Sequence, residues 1–166
     1  MSVTVKNSLS LRQNYSNDTT LMLKANRAKA SVGKLSQADS LAMRRSVKKL
    51  ASYDYEDSDA DKLEETLRAF TDTYNYLKES STVASKTNPK VKAALNKMKK
   101  LTEEYSDELE KYGVTKDSKG YLAMSDSATD NIKGTKFESL FGKDSEFMQE
   151  IAKYSKSIYR HIDIQL

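Results

Sequence analysis

Three aspartates at alternating positions are the residues of this sequence that most resemble a metal site. Asp57, Asp59 and Asp61 match the first half of a calcium-binding loop, in which side-chain oxygens bind the ion. The match fails at the sixth position, where the loop needs Gly and the chain has Lys62, and at the twelfth, where Arg68 stands in place of a bidentate Glu. We therefore interpret the aspartates as the acidic start of a helix, where the helix dipole favours negative charge.

Other residue types that perform catalysis are sparse. His161 is the single histidine and there is no cysteine, so a His/Cys metal set cannot form, and we interpret His161 as a seam or surface residue. The five glycines are scattered and form no phosphate-binding loop. The ten tyrosines fall mostly on apolar seams or beside loops, where packing is their ordinary role. The sequence thus predicts no enzyme, no cofactor and no catalytic, cofactor-binding or metal-binding residue.

Two basic clusters are candidates for binding an anionic partner. Six lysines lie between Lys86 and Lys100. A second cluster contains four basic residues: Arg44, Arg45, Lys48 and Lys49. Contacts between such residues and phosphates would be non-specific and strongly salt dependent. No aromatic residues alternate with them to stack bases, and acidic bands lie beside them, so a solvated or interhelical face is the favoured interpretation.

Composition favours one helical domain. The 166 residues include only one Pro and five Gly, the residue types that break helices and form turns. Their scarcity favours long helices over the many tight turns of an all-β chain. The net charge of +4 is banded: residues 1–52 and 83–101 are basic, whereas 53–82 and 102–112 are acidic. Such bands suit antiparallel helices and equally suit an ordered assembly of copies. No apolar run is long enough to predict a cleavable leader or a membrane span.

The stretch from Ser58 to Leu77 predicts a helix with a narrow apolar seam. Its apolar residues follow at spacings of 4, 3, 4 and 3: Leu63, Leu67, Phe70, Tyr74 and Leu77. Asn88-Pro89 predicts the next helix start, because Asn is a good N-cap and Pro is tolerated at the first helical position. That second helix is predicted to end at Gly113 and to form an antiparallel hairpin with the first.

The N-terminal part has weaker signals. Residues 1–18 are polar and are predicted to form a flexible arm. A helix is predicted from residue 19 or 20 to Gly33, and Ser36-Gln-Ala-Asp39 resembles a capping box that starts another helix. Ser58 is predicted to cap the helix with the narrow seam.

The C-terminal part predicts short elements and then a last long helix. A polar turn and a short extended piece are predicted over 113–125, and a weak helix over about 126–133. Thr135-Lys-Phe-Glu138 matches a capping box for a helix of one or two turns. Asp144 or Ser145 is predicted to open the last helix, whose apolar residues again follow at spacings of 4, 3, 4 and 3.

These patterns predict an all-α fold, an antiparallel bundle of four to five helices with coiled-coil-like packing. A short irregular or β-like turn segment is expected near 113–125. Residues 1–18 form the flexible polar arm in this prediction, and 19–166 form a single helical-bundle domain. The residues predicted for the packing seam and for interaction are Leu63, Leu67, Phe70, Tyr74, Leu77, Leu95, Met98, Leu101, Tyr105, Phe147, Ile151, Tyr154 and Ile158.

The helix with the narrow seam also resembles part of a known family. The segment from Leu67 to Leu77, which reads Leu-Arg-Ala-Phe-Thr-Asp-Thr-Tyr-Asn-Tyr-Leu, is similar to the Phe-Val-x-x-Tyr-Asn-x-Leu helix of the flagellar filament cap protein family, also called flagellar hook-associated protein 2. The order of the later elements is similar too, over about residues 60–160. They are a helix with spaced Leu and Met, Tyr112-Gly-Val114, the polar turn Lys116–Gly120, Tyr121-Leu-Ala-Met-Ser-Asp126, Phe137, Leu140-Phe141 and a last helix.

This resemblance implies the helical-bundle domain of a cap protein, a family that assembles outside the cell and assists flagellin addition. It implies flagellin or another flagellar protein as partner, and export without a cleaved leader to an extracellular or flagellar location. The chain departs from the family in its Lys-rich turn after Val114 and in Met124, where Leu is usual. Its 166 residues also leave no room for the family's β-rich domains and long N-terminal coiled-coil partner.

The leading hypothesis is accordingly a non-enzymatic structural or interaction protein, acting in flagellar assembly or as a stand-alone relative with another partner. Its partner would be a protein or a second copy of the chain, without a membrane. An intracellular helical adaptor or chaperone is the alternative, located in the cytoplasm. A non-specific nucleic-acid binder that uses the Lys86–Lys100 cluster is less favoured.

Overall fold

The computed structural model describes residues 8–126, Ala128 and residues 133–162. The helices are α1 Leu9–Asn14, a 3₁₀ helix Thr19–Met22, α2 Lys24–Arg27, α3 Val32–Ala51, α4 Ala60–Ala84, α5 Pro89–Glu104, α6 Ser106–Lys111, α7 Gly134–Phe141 and α8 Glu146–His161. A small hairpin joins β1 Val114–Lys116 to β2 Leu122–Met124. Helices dominate, so the prediction of an all-α fold is confirmed.

Four long helices, α3, α4, α5 and α8, form an antiparallel bundle in which α8 lies between α3 and α5. The ring of Phe147, in the first turn of α8, is 5.2 Å from the ring of Tyr105 at the end of α5. At the other end of α8, the carbonyl oxygen of His161 accepts a 2.6 Å hydrogen bond from the side chain of Asn88, which precedes α5. Helix α8 therefore runs antiparallel to α5.

The predicted apolar seams are the core of this bundle. All five seam residues of α4, Leu63 to Leu77, are at most 1% exposed. The Phe70 ring packs edge-on against Phe141 at 5.9 Å and tilted against Phe147 at 6.3 Å. On α5 and α8 the other predicted residues are also buried, apart from two half-buried tyrosines, Tyr105 and Tyr154. Their burial gives the set a packing role.

The polar arm predicted for residues 1–18 is wrong from Ser8 onward, while residues 1–7 lie outside the described residues. Helix α1 packs against α4 and α3, and its Leu11, together with the following Tyr15, is 2% exposed. The Glu65 carboxylate of α4 accepts hydrogen bonds of 3.0 Å from the Ser8 hydroxyl and from the Ser10 amide. Few apolar residues suffice here because polar contacts anchor the segment.

The predicted helix from residue 19 or 20 to Gly33 and the predicted cap at Ser36 are also wrong. Helix α3 starts at Val32 and runs through Gly33, and its N-cap is Ser31, whose hydroxyl accepts from the Lys34 amide at 3.2 Å. Ser36 and Asp39 lie inside α3 and are fully buried. The Asp39 carboxylate accepts hydrogen bonds of 2.8 and 2.9 Å from the Arg27 guanidinium. Asp39 therefore serves a buried ion pair and does not cap a helix.

The remaining helix ends agree in part with the sequence signals. The Asn88 side chain accepts from the amides of residues 90 and 91, and Ser145 caps α8, both as predicted. Asp59 rather than Ser58 caps α4, and its carboxylate accepts from the amide of residue 62 at 3.1 Å. The capping box at Thr135 is wrong because α7 already begins at residue 134. The weak helix predicted for about 126–133 falls largely outside the described residues.

The segment predicted to be irregular or β-like near 113–125 is the β1–β2 hairpin. Its strands are antiparallel, with Val114 opposite Met124. In the turn, the Asp117 carboxylate accepts from the amides of residues 119 and 121, and Gly120 adopts a φ of 77°. The hairpin packs on α4 through β2. The helix predicted to reach Gly113 instead bends at Tyr105, where α5 ends and α6 follows.

Candidate functional site

Helix α8 has one apolar row and one basic row, and only the basic row faces solvent. Phe147, Ile151 and Ile158 are fully buried in the bundle. Lys153 and Lys156 lie on the opposite side and are exposed, as is Arg160. Spacings of 3 and 4 residues align these three cations along one side of the helix. The buried row fixes the helix in place, and the basic row is thereby held in a defined orientation.

Two grooves flank this basic row. The first lies between α3 and α8, has a volume of ≈ 560 Å³, and is lined by Arg44 together with Lys153, Lys156 and Arg160. The second lies between α5 and α8, has a volume of ≈ 310 Å³, and adds two cations from α5. We call the six exposed cations that line these two grooves the α8 basic face: Arg44, Lys90, Lys97, Lys153, Lys156 and Arg160.

One carboxylate beside the α8 basic face already has partners. The Glu150 carboxylate accepts a 2.8 Å hydrogen bond from Lys153 and another from the Tyr154 hydroxyl. These two bonds, with the positive charge of Lys97 as a smaller cause, hold the pKa of Glu150 below its usual value. The same bond to the carboxylate raises the pKa of Tyr154 to about 12. The remaining cations of the face keep their positive charge available to a partner.

His161 lies at the end of the α8 basic face. Its Nδ1 atom is 2.7 Å from the backbone carbonyl oxygen of Ser157, one turn earlier in the same helix. Both residues line the two grooves. The ring is therefore engaged with its own backbone through Nδ1. Arg160 and His161 occupy the last turn of α8, where positive charge is favourable to the helix dipole.

The structure divides the two basic clusters that were noted in the sequence. It brings Arg44 of the second cluster to the same face as Lys90 and Lys97 of the first. By contrast, Arg45 donates to the carbonyl oxygen of Asn14 at 3.0 Å, and Lys49 donates to the Ser10 hydroxyl at 2.9 Å. The second cluster thus contributes one side chain to the α8 basic face and uses two others to hold α1.

The basic row of α8 itself was missed by the sequence reasoning. Its signal was present, since Lys153, Lys156 and Arg160 have the spacing of one helix face. The acidic residues of the same helix conceal it when charge is summed over the C-terminal part of the chain. Only the packing of α8 between two other helices shows which of its sides remains exposed.

One of the three aspartates that resemble half a calcium loop has a structural role. Asp59 is the N-cap of α4, which confirms that this acidic stretch opens a helix. Asp57 and Asp61 are exposed beside it. Among the described residues, no group of three or more histidines, aspartates or glutamates is placed to hold a metal ion.

Comparison of the chain with protein-family models, with curated proteins and with solved structures finds no match. None of the helices in the described part of the chain combines the length and the apolar character that crossing a membrane requires. The geometry therefore has to carry the functional interpretation. It offers six exposed cations on a packed helical support, an arrangement suited to binding an anionic surface.

Proposed function

We propose that this protein is a non-enzymatic interaction protein related to the flagellar filament cap and acting in flagellar assembly. One observation carries the proposal. The Asn75 side chain donates to the carbonyl oxygen of Leu122 at 2.7 Å and accepts from its amide at 2.8 Å. These two residues belong to separate parts of the stretch that resembles the family. The two bonds give Asn75, which lies beside the packing seam, a structural role, since they join its helix to Leu122.

Further contacts join the other residues that carry the resemblance. The Arg68 guanidinium donates to the Met124 carbonyl oxygen at 3.3 Å and to the Asp126 carboxylate at 2.9 Å. The Tyr112 ring packs on Phe137 at 5.1 Å and on Phe141 at 6.0 Å. The similar segments therefore form one connected unit around α4. Each motif alone is short, and their packing into one unit supports treating them as a series.

The α8 basic face is the surface we assign to partner binding within this function. Apart from the half-buried Tyr105 and Tyr154, the seam residues are buried in the core and are not available to a second protein. Charged side chains on a rigid face favour a partner with a complementary acidic surface, and they speed its association at low salt. The partner class is thus a protein surface rich in carboxylates.

The location of the native protein tests the flagellar function. Cells that produce it naturally are separated into cytosol, medium and sheared filaments, with a cytosolic enzyme followed as a marker of leakage. We expect the protein in the filament fraction or the medium, and its loss from both when flagellar export is disabled. Confinement to the cytosol would refute the flagellar role and favour the intracellular adaptor or chaperone.

A second candidate, non-specific nucleic-acid binding, is favoured by the convergence of two basic clusters on one face. Tyr154 lies in one of the grooves, but its hydroxyl is bonded to Glu150 and the ring is half-buried, which suits packing better than base stacking. Binding to a duplex at low salt that falls steeply as salt is added would support this candidate. Absence of binding at low salt would remove it.

A further inference from the structure

We propose that the groove between α3 and α8 is a binding site for a small ligand that carries two or more phosphate groups. The site goes beyond the interaction function, because its ligand is a small molecule, and it occupies one part of the α8 basic face. Three features of the groove support it: the cations that meet there, the fixed walls that hold them, and the character of the other residues that line the space.

Positive charge enters this groove from both of its walls. Arg44 lies on α3, whereas Lys156 and Arg160 lie one turn apart on α8. The side chains of these three residues form no hydrogen bond or ion pair with another described residue. The fourth cation, Lys153, already bonds the Glu150 carboxylate at 2.8 and 3.1 Å. Within the described part of the chain, three positive charges in one groove thus lack a counter-charge.

Packing fixes both walls of the groove before a ligand binds. Met43, next to Arg44 on α3, and Ile158, between the two cations of α8, are fully buried. The end of α8 is held by the Asn88 side chain, which donates a 2.6 Å hydrogen bond to the His161 carbonyl oxygen. This bond also occupies an acceptor at the negative end of the helix dipole, where a free carbonyl oxygen would oppose an anion. Binding therefore has to order only the side chains of the cations.

The donors in the groove favour a phosphate-bearing ligand. Each guanidinium group can form paired hydrogen bonds to one phosphate, and the lysine ammonium adds a compact charge. The Ser157 hydroxyl, which lines the groove and bonds no other described residue, supplies a further donor. A phosphate group brings up to two negative charges and three acceptor oxygens in a small volume, whereas a carboxylate brings one charge. A ligand with two or more phosphates can therefore neutralise the cations of both walls at once.

The size and the remaining lining of the groove limit what else the ligand contains. Its volume of ≈ 560 Å³ falls within the range of about 300–1,000 Å³ for small-molecule clefts. Among the described residues that line it, Ala152 is the single apolar side chain, and none is a Phe, Tyr or Trp. A nucleobase would thus find no such ring on which to stack. Inorganic oligophosphates and phosphorylated polyols fit this lining, since both concentrate phosphates without an aromatic group.

Isothermal titration calorimetry of the full chain tests the site with two probes, tripolyphosphate and inositol hexakisphosphate. At about 50 mM salt we expect one ligand to bind per chain, and we expect the affinity to fall as salt is added, because the cations are exposed. The two probes represent the two sources of the same chemistry. The probe that binds more tightly identifies the ligand as an inorganic oligophosphate or as a phosphorylated polyol.

Variants on the two walls test whether the groove holds the ligand. Lys156→Gln with Arg160→Gln should weaken binding by about tenfold or more, since charge-assisted bonds are lost. Arg44→Gln on the opposite wall should also weaken it, whereas Arg44→Lys, which keeps the charge but not the paired bonds, should give a smaller loss. Lys24→Gln with Lys29→Gln removes two exposed charges outside the groove and should change the affinity by less than about twofold. Circular dichroism checks that every variant is folded.

Absence of binding by both phosphate probes at about 50 mM salt would overturn the proposal, and so would binding that the wall variants leave unchanged. A poly-glutamate peptide that binds as tightly as tripolyphosphate would assign the groove to carboxylates instead. Duplex DNA that binds in preference to both probes would assign it to a nucleic acid. The flagellar function fails separately, through the location of the native protein, so a cytosolic chain that binds tripolyphosphate in this groove would refute only that function.

Discussion

The amide group of Asn75 pairs with both backbone polar groups of Leu122, at 2.7 and 2.8 Å. The side chain thus bonds to β2 as a neighbouring strand would, on the side of β2 that faces away from β1. A two-stranded hairpin is marginal in water on its own, and this pair, with the Arg68 bonds, ties it to α4.

Replacing Asn75 by Ala should destabilise the protein by about 1–3 kcal/mol, because both backbone groups of Leu122 lose their partner in a half-buried position. Hydrogen exchange at the Leu122 amide should accelerate. Asn96→Ala, at an exposed position of α5, is the control and should change stability by less than about 0.5 kcal/mol. Unchanged exchange at Leu122 in Asn75→Ala would contradict the pairing.

Replacing Phe70 by Ala should cost about 3–5 kcal/mol, because the ring is fully buried and touches two other aromatic rings. Urea unfolding followed by circular dichroism measures the loss as a lower midpoint at similar slope. Val83→Ala on the same helix is the matched control, since Val83 is 43% exposed. A loss below ~1 kcal/mol for Phe70→Ala would mean that the ring is not in the core.

The buried ion pair of Arg27 and Asp39 gives a third prediction. Asp39→Ala should cost about 3–5 kcal/mol, since it leaves the Arg27 charge and the Tyr15 hydroxyl without their acceptor. A triple variant, Tyr15→Phe with Arg27→Met and Asp39→Leu, should cost less than Asp39→Ala, because apolar groups replace all three side chains and only the Leu21 carbonyl oxygen loses a bond. Thermal unfolding measures the stability of both variants. A triple variant that is less stable than Asp39→Ala would refute this account. Glu104→Ala, which removes an exposed pair with Lys100, should cost less than about 1 kcal/mol.

Two glycines with nearly equal backbone angles should respond differently to Ala. Gly113 and Gly120 have φ values of 75° and 77°, so each substitution carries a strain of about 1–2 kcal/mol. A Cβ at Gly113 would also lie 2.3 Å from the Cβ of Ala128, whereas the nearest atom to one at Gly120 is Lys78 Cε at 3.5 Å. Gly113→Ala should therefore be clearly the more destabilising in urea unfolding. Equal effects would contradict the close approach at Gly113.

The carboxyl group of Asp72 predicts a dependence of stability on pH. Burial raises its pKa to about 6 in the folded protein, against about 3.9 in the unfolded chain, although the Arg68 charge opposes the shift. The folded state then holds the proton more tightly, so the contribution of Asp72 to stability falls as pH rises from about 4 to about 6, and is constant above that.

Asp72→Asn should consequently be more stable than the native chain by about 1–2 kcal/mol at pH 7.5 and nearly equal to it at pH 4. Solvent partly screens the charge of a half-buried group, which keeps the difference in this range. Urea unfolding at a series of pH values measures the difference, and Asp57→Asn at an exposed position controls for the loss of one negative charge. A difference that does not grow between pH 4 and pH 6 would contradict the shifted pKa.

Sequence patterns predicted the bundle where apolar spacing was regular. The seam of α4, the Asn88 cap and the Ser145 cap were read correctly because each depends on neighbours within one or two turns. The N-terminal part was misread because its stability depends on distant partners. Asp39 looked like a capping residue, but Arg27 and Tyr15 bind it across the fold, and no local signal distinguishes these two uses.

The candidate site was predictable only in its components. The sequence showed the lysines of α5 and the arginines of α3, yet it could not show that Arg44 points to α8 while Arg45 turns to α1. Such a choice depends on where α8 packs, which is a property of the whole bundle. The charge bands suggested an assembly of copies, and that hypothesis stays a prediction.

The position of α8 also constrains when the chain can fold during synthesis. Phe147, Ile151 and Ile158 close the bundle against α3 and α5, so the core lacks one wall until the ribosome has released these residues. Until then the seam of α4 is open on one side and the nascent chain exposes apolar surface. The bundle is thus completed only after translation of its last helix.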